Sequence, residues 1–157
     1  MAIDFDELAK QVVERMGVSN SAKDHDDRYA LEIEDSRGKT HTMFIQEGIS
    51  NGCLEVFTTV ADEVLHQEFL EIGLAQNLEN VRTNGNIFTV DRETSCAILY
   101  GRYDPHSRDI GDFGTWLDEY LAEMGLYHEI ADELNHSTLD RSAENTDKIL
   151  PEFSIKV

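Results

Sequence analysis

The chain has 157 residues, 40% of them hydrophobic, with 32 acidic and 13 basic side chains and a formal net charge of −19. That is the length of one domain, with enough apolar material for a core without disulfide help, and no run approaches the ~18 consecutive apolar residues of a membrane span. The charge argues against nucleic acid and anionic membrane as partners and suits basic or amphipathic polypeptides.

The opening MAIDFDELAK is acidic and amphipathic. A secretory signal begins with basic residues followed by an apolar run, so the expectation is a cytoplasmic protein. Asp4 to Met16 predicts a helix whose Phe5, Leu8, Val12 and Met16 share one side, with Gly17 as a C-cap. After a polar loop, Tyr29 to Glu34 alternates apolar and charged residues and predicts a half-buried strand. Thr40 to Glu47, centred on Met43, Phe44 and Ile45, predicts a second strand, and Cys53 to Val60 a third. Short turns join the three into an antiparallel meander.

A helix follows, from about Glu63 to Glu79, and it carries two apolar stripes. Leu65, Phe69 and Ile72 form one, and Leu70, Leu74 and Leu78 form another roughly opposite. A surface helix normally needs only one stripe, facing one core. Ile87 to Val90 and Cys96 to Tyr103 predict a fourth and a fifth strand, and a last helix runs from near Ile110 to about Leu134. The order α-β-β-β-α-β-β-α is an α+β layout, with helices packed on an antiparallel sheet. Residues 1–134 read as a single domain. Residues 135–157 read as a mobile polar tail, and the apolar alternation Phe153, Ile155, Val157 is an alternative strand.

Motifs of chemistry are few. Asp112-Phe113-Gly114 spells a kinase triplet without the other kinase parts, so Asp112 reads as a charge at a helix start and Phe113 as core. Asp24-His25-Asp26-Asp27 lacks the spacing of a calcium loop. The six histidines show no metal-ligand spacing, and His66 and His128 read as surface residues. Cys53 and Cys96 read as buried free thiols. No metal, cofactor or catalytic residue is assigned, and the chain is not expected to be an enzyme.

The element order, with the segments FDELAKQVVERMGV, YALEIEDSRGKTHTMFIQ, CLEVFTTVADEVLHQEFLEIGLAQNLEN, NIFTVDRETSCAILYGRY and WLDEYLAEMGLYHEIADEL, resembles the small class I chaperones of bacterial type III secretion, the CesT (Tir chaperone) family. The resemblance covers roughly Asp4 to Leu134. It implies a homodimer whose interface uses the central helix and neighbouring strand residues, which would occupy the second stripe. Sequence alone leaves open which stripe that is. Leu70, Leu74 and Leu78 are favoured, with Ile87 and Val90, because Phe69 is the bulkier anchor for a core. The resemblance also implies binding, without ATP, of an extended N-terminal segment of a secreted effector. Candidate binding residues are Phe5, Leu8, Val12, Met16, Met43, Phe44 and Ile45, for each of which a place in the core is an equal reading. A rival reading keeps the fold and makes the chain a regulatory protein-binding module of the bacterial sensory-transduction-regulator-like type.

Overall fold

The computed structural model of the chain describes residues 4–18, 23, 24, 26–34, 38–49, 52–61, 66–83, 85–107 and 112–146, with 138–146 described by backbone alone. The elements are α1 (Phe5–Arg15), β1 (Tyr29–Glu34), β2 (Thr40–Glu47), β3 (Leu54–Ala61), α2 (Gln67–Thr83), β4 (Ile87–Val90), β5 (Ala97–Tyr103) and α3 (Phe113–Thr146). One sheet holds all five strands in the order β1-β2-β3-β5-β4, every neighbour antiparallel.

The register explains the core. Leu31 lies opposite Met43, Met43 opposite Thr58, Thr58 opposite Leu99, and Leu99 opposite Phe88. This row crosses all five strands, and every member is buried. The next row, Ala30, Phe44, Phe57, Tyr100 and Ile87, falls on the opposite face because side chains alternate along a strand. None of these five is buried. The helices therefore cover one face of the sheet and leave the other half open.

Tyr120 anchors α3 to the covered face. Its hydroxyl donates to the Leu99 carbonyl at 3.0 Å and accepts from Thr58 Oγ1 at 2.8 Å, so a fully buried phenol is satisfied on both sides. The ring fits because position 101 is glycine. A Cβ there would stand 2.6 Å from it. Farther along α3, the buried His128 ring stacks on His41 of β2 with centroids 3.7 Å apart, and its Nε2 lies 3.1 Å from the Thr59 carbonyl. His128 is thus an interior residue rather than the surface residue expected, and His66 is half-buried against Asn135. Asp112 does cap α3, accepting from the Thr115 N–H at 3.1 Å, while Phe113 packs on Tyr103.

Two sequence expectations change here. The closing helix does not stop at Leu134 but continues to Thr146, so residues 135–146 extend α3. Nothing in Asn135–Thr146 breaks a helix, neither proline nor glycine being present. Residues 147–157, with their apolar alternation, lie outside the described residues. Both cysteines are free, but Cys96 is only partly covered while Cys53 is buried.

Candidate functional site: exposed faces and edges of a one-sided sheet

The expected effector-binding residues divide sharply. Phe5, Leu8, Val12, Met43 and Ile45 are core residues, and only Met16 and Phe44 reach the surface, each half-buried. The reason is geometric. Met43 and Ile45 alternate toward the face that the helices cover, and α1 turns its whole apolar side to that face. Phe44, between them, points the other way.

Phe44 belongs to the half-open face. The Arg28 guanidinium sits 4.7 Å from the centre of its ring, and Phe57 and Tyr100 pack farther along the same row with centroids 5.0 Å apart. The Tyr100 hydroxyl donates to Glu55 Oε1 at 3.2 Å, and Gln46 Nε2 donates to Glu55 Oε2 at 3.0 Å. Burial, with the Glu55 charge beside it, pushes the Tyr100 hydroxyl up to about 12, so it remains a neutral donor at any physiological pH.

The two edges of the sheet differ. At β4, the Asn77 side chain of α2 imitates a neighbouring strand. Its Nδ2 donates to the Phe88 carbonyl at 2.8 Å, and its Oδ1 accepts from the Phe88 N–H at 2.7 Å. Asn80 and Asn86 reinforce the join, both donating to the Glu123 carboxylate of α3 at 3.0 and 2.7 Å. At β1, among the described residues, only Lys23 pairs along the outer edge, opposite Tyr29.

Four of the five residues expected at an interface, Leu74, Leu78, Ile87 and Val90, are exposed. Leu74, Leu78 and Val81 of α2 are 60, 72 and 71% exposed, and Ile87 and Val90 of β4 are 40 and 37% exposed. Leu70 is half-buried and packs against the core. The other expected stripe is modified. Phe69 is buried, but Ile72 is 37% exposed, and the buried side of α2 is completed by Gly73 and Asn80. Leu65 lies outside the described residues. Sequence reasoning missed Val81, Asn77 and Asn80. The spacing of Leu74, Leu78 and Val81 at four and three residues was the available signal for the first.

Among the described residues no group of three or more His, Cys, Asp or Glu side chains is placed to hold a metal ion, and no described helix is long and apolar enough to cross a membrane.

No family model matches the sequence, and no curated protein matches it. Solved structures do. A chain in the crystal structure of the ExsC–ExsE complex superposes with a TM-score of 0.57 at 14% identity, over 80% of this chain and 92% of that one. A chain in the structure of the HopA1–SchA chaperone–effector complex superposes with a TM-score of 0.56 at 12% identity, over 80% of this chain and 93% of that one. Three helices on a five-stranded antiparallel sheet are thus an α+β fold shared with chains of these two complexes.

Proposed function

We propose that this chain is a non-enzymatic type III secretion chaperone of the cytoplasm that, as a homodimer, holds an extended segment near the N-terminus of a secreted effector. The observation that carries the reading is the inequality of the sheet edges. One edge is closed by an asparagine side chain, and the other carries, among the described residues, only the bridge from Lys23 to Tyr29, beside a half-exposed aromatic face. An extended peptide added along β1 gains main-chain hydrogen bonds, and its alternate side chains fall on Phe44 and its neighbours. The net charge of −19 favours segments carrying Lys or Arg and keeps the loaded complex soluble. No nucleotide is needed, because strand addition and apolar burial are downhill by themselves.

Homodimerisation is supported by the exposed ridge of Leu74, Leu78 and Val81 on α2, with Ile87 of β4 beside Val81. An uncovered apolar patch of this kind marks an association surface, and a twofold contact would place the same ridge on both subunits.

The test is co-expression of the chain with N-terminal segments of secreted proteins from the same genome, followed by native mass spectrometry. Two copies of this chain with one segment, the segment unfolded when free, is the expected result. A monomer that captures only a folded protein would overturn the reading and restore the regulatory-module alternative.

A further inference from the structure

Between α2 and α3 lies a groove of about 370 Å³, walled by Ile72 and Gln76 on one side and by Ala122, Leu126 and Ile130 on the other, with Tyr127 contributing to its wall. Leu126 is 56% exposed although it stands at the groove. The Tyr127 ring is buried between Phe69 and Phe88, and its hydroxyl is buried without a hydrogen-bond partner. A polar group left in that state is costly unless something later pairs with it.

The rim carries one sign of charge. On α3, Glu119 and Glu133 continue the face of Ala122, Leu126 and Ile130, with Glu123 beside them. On α2, Glu68 and Glu79 continue the face of Ile72 and Gln76. No lysine or arginine occupies any of these positions. The apolar floor from Ala122 to Ile130 extends about 12 Å at 1.5 Å per residue, or two turns of a helix. Its residues recur at four-residue intervals, the ridge pattern into which another helix packs.

We infer that this groove is a second docking site, for an amphipathic helix of the partner polypeptide that presents apolar side chains at helical spacing and is flanked by Lys or Arg. The inference rests on the reading of the chain as a polypeptide-binding protein. It adds a helical subsite to the strand edge at β1. A second copy of this chain is a poor occupant, since its own helices are acidic and would bring like charge to the rim. Residues 147–157 are also poor, because Pro151 interrupts a helix there and Asp147 and Glu152 cancel Lys148 and Lys156.

A labelled leucine–lysine amphipathic peptide, titrated into the full chain and followed by fluorescence anisotropy, tests this. The expected result is saturable binding that Leu126→Gln weakens about tenfold, the loss that follows from removing one buried leucine anchor. Leu126→Gln preserves charge and changes an exposed residue, so it separates groove binding from general attraction to an acidic protein. A leucine–glutamate helix should not bind. Equal binding by wild type and Leu126→Gln would overturn the inference. So would binding that appears only after residues 147–157 are removed, which would make that segment the occupant. A dimer-to-monomer change on Leu126→Gln would likewise overturn it, assigning the groove to a second copy. Failure of the chaperone reading would show elsewhere, as loss of extended-segment capture, which the synthetic helix does not report.

Discussion

On one side of α2, Phe69 and Gly73 are buried against Phe88. On the other side, Leu74, Leu78 and Val81 stand in solvent. The buried side is the less hydrophobic of the two, being completed by a glycine and by the amides of Asn77 and Asn80. The difference shows that closeness, not apolarity, decides which side of this helix goes inward. β4 is an edge strand with backbone groups to satisfy, and its Phe88 ring lies where a side chain on α2 would otherwise stand. Leucines there would keep the helix away from the strand and leave Phe88 N–H and C=O unpaired. The leucines are displaced outward, where no described residue buries them.

The largest effect should come from closing the gap on the buried side. A Cβ at Gly73 would fall 2.4 Å from the Phe88 ring. Gly73→Ala should destabilise the fold by about 2 kcal/mol, as overpacking does, and lower the thermal midpoint by about 2–4 °C for each kcal/mol. The same substitution at Gly125, where a Cβ meets nothing within 4 Å, should stabilise by up to about 1 kcal/mol through helix propensity. Calorimetry of the pair should give opposite signs, and a neutral Gly73→Ala would break the comparison.

Asn77→Ala comes next. It frees the Phe88 backbone groups and should cost about 1–3 kcal/mol. Faster hydrogen exchange should be confined to β4, and the newly opened edge should favour aggregation. Exchange unchanged at Phe88 would show that the Asn77 clasp is not what holds the strand.

Tyr127→Phe should act in the opposite direction and raise stability by about 1 kcal/mol, because it removes a buried hydroxyl that has no partner. Burial and the nearby Glu123 push this hydroxyl up to about 12. The folded protein therefore favours the neutral phenol. That contribution is whole below the unfolded value near 10 and is lost as pH climbs toward 12. Denaturant midpoints measured across this range should fall less steeply for Tyr127→Phe than for wild type.

The smallest effect on the fold itself belongs to the exposed side. Leu78→Glu should change the stability of the single subunit by less than about 0.5 kcal/mol, read by denaturant unfolding at a dilution where both forms are monomeric. In light scattering at higher concentration the mass should fall from that of the proposed dimer to that of one chain. A variant that remains a dimer would move the interface away from the ridge.

The five strands were legible because β1 alternates apolar and charged residues and the others are short runs rich in apolar, β-branched and aromatic residues between clear turns, and the observed bounds differ from the expected ones by one residue at most. The two-sided character of α2 was legible too, from Phe69 on one side and Leu74 and Leu78 on the other. The placing of individual binding residues was not. Periodicity shows that Phe5, Leu8 and Val12 share one face of α1 and that Met43 and Ile45 share one face of β2, but a groove and a core require the same residues at the same spacing. His128 was misplaced for a related reason, since acidic neighbours in sequence do not reveal that its own side of α3 meets His41.

By itself, then, the sequence determined the order and type of the elements, the acidity of the surface and the existence of a surplus apolar stripe, all of which depend on local period and composition. Only the tertiary structure decided which stripe is surplus, which sheet edge is closed and where α2 and α3 part to leave a groove. Those outcomes depend on distances between residues far apart in the chain: Gly73 against Phe88, Asn77 against the Phe88 backbone, and Ile72 across from Leu126.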